Sequence, residues 1–173
     1  MLPKLTLVLG GAASGKSLWA ETLVTQTARP RVYVATAQAF DEDMHAKIKE
    51  HRTQRGPDWR TIEAPLDLTP ALAGVAGDDV VLLDCATLWL SNHLLADHDL
   101  TAQTDTLMAA LHVCPAPVVV VSNEVGLSGV PENALARQFQ RAQGRLNQRL
   151  AAEADLVVQV IAGLPLVLKG SLP

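Results

Sequence analysis

The chain has few cysteines, no long apolar run and no excess of positive charge. Only two cysteines, Cys85 and Cys114, occur among its 173 residues, which is too few for a disulfide framework and fits a reducing compartment. No apolar run reaches the ~20 residues that a membrane-spanning helix needs, and the N-terminus lacks the pattern of a signal peptide. We therefore expect a cytoplasmic protein without a membrane span.

Charge and length narrow the class of protein further. The formal net charge of −4 and the pI near 5.7 argue against broad nucleic-acid binding, which usually needs a basic surface. Because 49% of the 173 residues are hydrophobic, the chain can bury an ample core, and we expect one domain that covers residues 1–173.

Short apolar runs alternate with helical patterns along the chain. Such runs are typical of strands that are buried on both faces, so the alternation predicts an α/β fold with a mostly parallel sheet and helices on both faces. The predicted strands are residues 5–9, 31–35, 79–83, 117–122 and 156–162. A further run, residues 165–169, follows Gly163-Leu164 and predicts a C-terminal antiparallel hairpin.

The longest predicted helix covers residues 132–154, where apolar residues recur every three or four positions. We expect Pro131 near its first turn, where a missing N–H does no harm. Its arginines recur at steps of four and predict a solvated face, with an anionic substrate as the alternative partner; they are Arg137, Arg141, Arg145 and Arg149. Residues 96–104 are polar and irregular and are expected to form a loop.

A glycine-rich segment joins the first predicted strand to the first predicted helix. It reads Gly10, Gly11, Ala12, Ala13, Ser14, Gly15, Lys16 and Ser17. Small residues at a helix N-terminus let backbone N–H groups converge on phosphate oxygens. A lysine there supplies charge to the outer phosphates, and the serine hydroxyl suits Mg²⁺. The segment is therefore a P-loop, and we expect the chain to bind a nucleoside triphosphate.

A carboxylate follows a second apolar strand, since Asp84 ends the run of residues 80–84. In a P-loop protein such a carboxylate can hold Mg²⁺ beside the phosphates, so Asp84 is predicted to contact the metal or the nucleotide. Asn123 and Glu124 likewise follow a predicted strand, at the sheet edge where open α/β proteins bind ligands.

Residues 41–55 predict a helix in which Met44, Ile48 and His51 share one face. The spacing leaves two interpretations of His51. It is either a semi-buried structural histidine or a nucleophile beside Arg52 and Arg55, whose charges could neutralise a phosphate. Further along, Trp59 could pack or stack on a base, and Glu63 could accept hydrogen bonds from a base or ribose or cap a turn.

Taken together, these segments resemble the bifunctional adenosylcobinamide kinase and adenosylcobinamide-phosphate guanylyltransferase family of cobalamin biosynthesis. The resemblance covers nearly the whole chain. Its motifs are residues 9–17, 33–37, 51–52 with 59–63, 82–85, 122–126, 130–133, 144–151 and 163–165. It implies a RecA-like fold, a single P-loop kinase/guanylyltransferase domain and a homotrimer.

The resemblance also implies two reactions. ATP or GTP phosphorylates adenosylcobinamide, and GTP then donates GMP to that phosphate through a guanylylated histidine, which corresponds to His51. Mg²⁺ would act with the nucleotides, and Ser17 and Asp84 would be its ligands. The residues expected to line the GTP site are those of the P-loop together with Ala35, Thr36, Ala37, Arg52, Thr53, Gln54, Arg55, Glu63 and Asp84.

Three positions depart from the family pattern. Ala13 stands where relatives often carry arginine, Glu50 stands where some have a second histidine, and Pro57 lies one position later than usual. None of these changes removes an essential group. Guanylyltransferase activity alone and a generic P-loop small-molecule kinase are the alternative enzymes. An NTP-dependent assembly ATPase that a macromolecular partner stimulates is the alternative from another class.

Overall fold

A computed structural model describes residues 1–38 and 58–173. Its strands are β1 (Leu5–Gly10), β2 (Arg31–Ala35), β3 (Trp59–Glu63), β4 (Val80–Asp84), β5 (Val118–Asn123), β6 (Leu156–Ile161) and β7 (Leu164–Lys169). The helices of the described residues are α1 (Lys16–Thr25), α2 (Thr69–Ala73), α3 (Ala86–Leu95), α4 (Leu100–Val113) and α5 (Ala134–Glu153).

The strands form one sheet in the order β3-β2-β4-β5-β1-β6-β7. All neighbouring pairs are parallel except β6 and β7, which form the antiparallel hairpin that the sequence predicts. β1 lies between β5 and β6, so its carboxyl end opens between two parallel neighbours along the carboxyl-end edge of the sheet. Open α/β sheets bind their ligands along this edge.

Both faces of the sheet are covered. Alternate residues of β1 point to opposite sides, so Leu7 packs with apolar residues of α2 to α5 while Val8 packs with α1. Every residue of β1 is buried, as expected of a parallel strand between two helical layers. The predicted α/β architecture with helices on both faces is confirmed.

Two of the sequence-based expectations are wrong. Pro131 does not lie in the first turn of α5, because the helix begins at Ala134 and Asn133 caps it, its side chain accepting a hydrogen bond from the Ala136 N–H at 2.8 Å. Residues 96–104 are not all loop, because α4 begins at Leu100. The Asp99 carboxylate caps that helix by accepting from two backbone N–H groups of its first turn.

One strand, β3, had no counterpart among the predicted strands. It pairs only with β2 within the described sheet, and its residues are half-buried or exposed. A strand of this kind lacks the continuous apolar run that identified the central strands.

Candidate nucleotide-binding site

The P-loop connects the end of β1 to the start of α1, as the sequence predicts. Gly10 ends the strand, and Lys16 begins the helix. A Cβ atom added to Gly10 would lie 2.3 Å from the Ser14 Oγ and 2.8 Å from the Val160 carbonyl oxygen. Both distances are shorter than real contacts allow, so only glycine fits where the loop folds back on the strand.

One hydrogen bond closes the loop, and another begins the helix that follows it. The Ser14 N–H donates to the Gly11 carbonyl at 3.3 Å, and the Trp19 N–H donates to the Gly15 carbonyl at 3.0 Å. The Lys16 ammonium donates to the Gly11 carbonyl at 3.2 Å, so its charge lies over the loop. A cation in this position can interact with the outer phosphates of a nucleotide.

The Ser14 hydroxyl is the clearest sign of a missing partner in the loop. Its oxygen is buried and has no hydrogen-bond partner among the described residues. A buried hydroxyl without a partner costs roughly 1–3 kcal/mol. A phosphate oxygen held by the loop would supply that partner, so the residues present fit a bound nucleotide.

Asp84 and Thr36 fix the ends of neighbouring strands. The Tyr33 hydroxyl donates to the Asp84 carboxylate at 3.0 Å, and the Thr36 N–H donates to the Asp84 carbonyl at 3.3 Å. The Thr36 hydroxyl donates to the Cys85 carbonyl at 2.7 Å and accepts from the Cys85 N–H at 2.9 Å. The Thr36 side chain is fully buried, so its hydroxyl supports the strand ends from inside the fold.

The sheet register places three predicted site residues in one row. Ala35 pairs with Asp84 on one side and with Glu63 on the other. Gly10 and Asn123 form a second pair at the same edge. Asp84, Glu63 and the P-loop therefore lie at the carboxyl ends of parallel strands, along the same edge of the sheet. Glu63 is the last residue of β3.

Cys85 is structural. Burial, followed by the charge of Asp84, raises the pKa of its thiol to about 11, so the thiol stays protonated near neutral pH. Its sulfur accepts a hydrogen bond from the Leu88 N–H at 3.4 Å and thereby caps α3. These contacts identify Cys85 as a core residue and not as a nucleophile.

The backbones of Asn123 and Glu124 anchor the end of β5. The Asn123 N–H donates to the Thr87 hydroxyl at 2.7 Å, and the Glu124 N–H donates to the Gly10 carbonyl at 3.0 Å. The Glu124 side chain accepts from the Gly126 N–H at 2.5 Å, so it closes its own turn. Their backbones hold the strand end beside the P-loop.

A buried polar network beneath this strand end was not predicted. The Ser122 hydroxyl donates to the Asn147 side-chain carbonyl at 2.6 Å, and the Gln143 amide donates to both of these side chains at 2.9 Å. The Asn147 amide donates to the Asn123 carbonyl at 3.1 Å. The sequence does carry one sign of this network. Two amide side chains, Gln143 and Asn147, lie four residues apart next to the apolar face of α5.

The arginine stripe of α5 behaves as a surface feature. Arg137 donates to the carbonyls of Pro131 and Glu132 at 2.9 and 2.5 Å. Arg149 pairs with Asp105 at 3.0 Å, and both side chains are about half exposed. These contacts agree with the default prediction of a solvated helix face.

The predicted nucleophile and the arginines beside it lie outside the described residues. This set comprises His51, Arg52, Thr53, Gln54 and Arg55. Within residues 1–38 and 58–173 there is no group of three or more His, Cys, Asp or Glu side chains that could hold a metal. In the same residues, no helix is long and apolar enough to cross a membrane.

Comparison with known proteins decides the family. A family model described as cobinamide kinase / cobinamide phosphate guanyltransferase matches residues 6–168. The chain belongs to this family. The matched residues include the P-loop, the strand-end carboxylates Glu63 and Asp84, and nearly all of the C-terminal hairpin.

Curated relatives of the family match over nearly their full lengths. The chain is 42% identical over 167 residues to the bifunctional adenosylcobalamin biosynthesis protein CobP of Pseudomonas aeruginosa, which covers 95% of this chain and 96% of the relative. It is also 42% identical over 180 residues to the bifunctional adenosylcobalamin biosynthesis protein CobU of Salmonella typhimurium. That alignment covers 94% of this chain and 98% of the relative. Family membership confirms the prediction of a cobinamide kinase and cobinamide phosphate guanylyltransferase.

Solved structures confirm the RecA-like fold. The RadB recombinase matches with a TM-score of 0.50 and 18% identity, over 91% of this chain and 74% of that one. A Pyrococcus horikoshii OT3 protein matches with a TM-score of 0.60 and 8% identity, over 98% of this chain and 88% of that one. At these identities the likeness concerns the fold alone.

Proposed function

We propose that this chain phosphorylates adenosylcobinamide with ATP or GTP and then transfers GMP from GTP to adenosylcobinamide phosphate. The products of the second step are adenosylcobinamide-GDP and pyrophosphate. The observation that carries the proposal is the P-loop at the open edge of the sheet, with the buried, unpartnered Ser14 hydroxyl, in a chain that matches the family over residues 6–168. Both reactions use this one nucleotide site, within a single domain of residues 1–173.

In the first reaction, the hydroxyl oxygen of the aminopropanol arm attacks the γ-phosphorus. A bond forms between that oxygen and phosphorus, the bond to the β–γ bridging oxygen breaks, the nucleoside diphosphate leaves, and the hydroxyl proton is released to solvent. The P-loop amides hold the phosphates, and Lys16 stabilises the charge that develops on them. The Lys16 ammonium already lies over the loop through its bond to Gly11.

The donor set at the site suits a magnesium ion. Mg²⁺ is usually held by one or two carboxylates together with substrate phosphates and water. Asp84 at the end of β4 and Ser17 at the start of α1 would hold it here. When bound, the ion neutralises negative charge on the phosphate oxygens.

In the second reaction, the neutral imidazole of His51 attacks the α-phosphorus of GTP. A nitrogen–phosphorus bond forms, the α–β bridging bond breaks, and pyrophosphate leaves. The phosphate of the corrinoid then displaces the histidine and takes the GMP. An unperturbed histidine has a pKa near 6.5, so the ring is mostly neutral at pH 7. Splitting one displacement into two is the usual advantage of covalent catalysis.

The proposed GTP site combines the P-loop with three further groups of residues. They are the backbone of Ala35, Thr36 and Ala37, the segment of Arg52, Thr53, Gln54 and Arg55, and the carboxylate of Glu63. The described members of this set lie along the carboxyl ends of β2 and β3. Glu63 can accept hydrogen bonds from the guanine base or the ribose there.

We also propose that the enzyme acts as a cytoplasmic homotrimer. Both cysteines are free and buried, which fits a reducing compartment. Every residue of β7 is exposed at the edge of the described sheet. Long apolar edge strands invite pairing with another chain, so a neighbouring subunit is the proposed cover of this strand.

Product analysis tests the two reactions. The protein is incubated with adenosylcobinamide, GTP and Mg²⁺, and the corrinoids are separated over time. We expect adenosylcobinamide phosphate to form first and adenosylcobinamide-GDP to follow. Lys16→Ala should slow both steps about a hundredfold or more, while Arg141→Ala, at an exposed position of α5, should match the wild type.

Three other results would contradict the proposal in different ways. Conversion of adenosylcobinamide phosphate without phosphorylation of adenosylcobinamide would indicate a guanylyltransferase alone. Phosphorylation without GMP transfer would indicate a small-molecule kinase. Nucleotide hydrolysis without any corrinoid product would indicate an assembly ATPase.

A further inference from the structure

The turn between β6 and β7 lies directly against the P-loop. The Gly163 N–H donates to the Ser14 carbonyl at 2.8 Å. A Cβ atom added to Gly15 would lie 3.1 Å from the Gly163 Cα. The C-terminal hairpin therefore contacts the phosphate-binding segment, although about 150 residues of sequence separate them.

The hydrogen bond from Gly163 fixes the orientation of one peptide group in the P-loop. The Ser14 carbonyl and the Gly15 N–H belong to the same planar peptide, and in a trans peptide they point in opposite directions. Holding the carbonyl against the hairpin therefore directs the Gly15 N–H away from it. No described residue accepts a hydrogen bond from this N–H, so it is available to a ligand.

We propose that Gly163 is a positioning residue for phosphate binding. Its N–H holds the Ser14–Gly15 peptide in the orientation that presents the Gly15 N–H to the phosphates, where P-loop amides bind anions. This role rests on the proposed binding of a nucleotide at the P-loop. It extends that function to a residue of the C-terminal hairpin that does not itself contact the nucleotide.

The turn reaches the P-loop only because its backbone is left-handed at two positions. Ala162 has φ 52° and Gly163 has φ 77°, as in the two-residue turns that suit a twisted hairpin. An added Cβ atom at Gly163 would meet nothing within 4 Å. The constraint at Gly163 is therefore its backbone conformation and does not come from a lack of space.

This distinction supplies a matched pair of variants. Gly163→Asn adds a side chain into open space but tolerates a positive φ, whereas Gly163→Val adds a β-branched side chain that disfavours it. The affinities of the full chain for GTP and for inorganic triphosphate are measured by calorimetry, and the melting temperature without ligand checks folding. Inorganic triphosphate isolates the contacts to phosphate from those to the base.

We expect Gly163→Asn to bind both ligands within twofold of the wild type. Gly163→Val should weaken both by about tenfold, equivalent to about 1.4 kcal/mol. If the valine variant does not fold, Gly163→Ala should still bind triphosphate about threefold more weakly than Gly163→Asn, because alanine tolerates a positive φ less well.

Unchanged triphosphate affinity in Gly163→Val, or equal weakening in the asparagine and valine variants, would overturn the role of Gly163. A wild-type protein that binds neither GTP nor triphosphate would overturn the proposed function itself. The two failures are therefore distinguishable in one set of titrations.

Discussion

At the scale of single residues, the P-loop contains a strained alanine. Ala13 has φ 54°, a left-handed conformation that costs an L-residue roughly 1–2 kcal/mol. The neighbouring Ala12 is also exposed but does not have a positive φ. The two alanines therefore allow the strain to be measured with a built-in control.

We expect Ala13→Gly to raise the free energy of unfolding by about 0.5 kcal/mol, because relief of strain exceeds the entropy that glycine adds to the unfolded chain. Ala12→Gly should lower it by a similar amount, since only the entropy term applies. Urea denaturation midpoints measure both changes. A destabilised Ala13→Gly variant would show that the left-handed conformation at Ala13 is not strained.

A second residue-scale feature is the contact between the buried His93 and the exposed His98. The Nε2 of His93 lies 3.1 Å from the Leu66 carbonyl, which can only accept, so Nε2 carries the proton. Its Nδ1 then accepts from the Nδ1–H of His98 at 2.8 Å. Burial lowers the pKa of His93, with a further lowering from His98 that is opposed by the Leu66 carbonyl and Asp67.

This lowered pKa predicts a pH dependence of stability. The folded state binds fewer protons at His93 than the unfolded state does. Neutral His93 therefore contributes its full share of the folding free energy above the unfolded pKa of about 6.5, and this contribution is lost as the pH falls below that value. We expect the free energy of unfolding to fall more steeply from pH 7.5 to pH 5 in the wild type than in His93→Gln. Parallel pH profiles of the two proteins would contradict this account.

At the scale of secondary-structure elements, a polar network joins β5 to α5. Asn147 accepts from Ser122 and Gln143 and donates to the Asn123 carbonyl. Ser122 and Asn123 lie at the end of β5 beside the P-loop, and Gln143 lies on α5. Losing Asn147 would therefore leave several buried polar groups without partners.

We expect Asn147→Leu to lower the free energy of unfolding by about 3 kcal/mol, because each unsatisfied buried group costs roughly 1–3 kcal/mol. Gln148→Leu, an exposed position on the same helix, should change it by no more than about 0.5 kcal/mol. Chemical denaturation of both variants makes the comparison. Similar small effects at the two positions would show that the network contributes little.

The elements that could be predicted from sequence are those whose burial leaves a continuous pattern. The central strands have uninterrupted apolar runs, and α5 has apolar residues at helical spacing, so both were predicted to within a few residues. The edge strand β3 carries no such pattern. The start of α4 was placed too late because its cap, Asp99, acts through local hydrogen bonds that resemble those of a polar loop.

The candidate site likewise has some residues that the sequence identifies and some that only the fold brings together. Phosphate binding by a P-loop depends on contiguous residues, so its members could be identified from the sequence alone. The contacts of Gly163 with the P-loop and of Asn147 with β5 join segments far apart in the chain. Such contacts depend on the order of strands in the sheet, which short sequence motifs do not determine.

At the scale of the whole molecule, β7 offers the surface for the proposed trimer. Leu166 and Leu168 lie two residues apart on this strand, and their exposed fractions are 52% and 54%. Apolar side chains at a sheet edge favour association with another chain. In the proposed assembly, they are buried by a neighbouring subunit.

Sedimentation equilibrium tests this surface. We expect the wild type to have three times the mass of the 18.4 kDa chain, and the double variant Leu166→Lys/Leu168→Lys to dissociate toward monomers because charge is costly to bury. Leu95→Lys, at an exposed leucine of α3, should remain a trimer. A monomeric wild type would contradict the trimer, and a trimeric double variant would contradict the assignment of β7.

In the proposed function, one histidine, His51, carries GMP between GTP and the corrinoid phosphate. This role is tested most directly by incubating the protein with Mg²⁺ and GTP that is labelled at the α-phosphate. We expect an acid-labile, base-stable label on the wild type and on His45→Ala, its transfer to adenosylcobinamide phosphate, and no label on His51→Ala. A His51→Ala variant that still carries the label would contradict it.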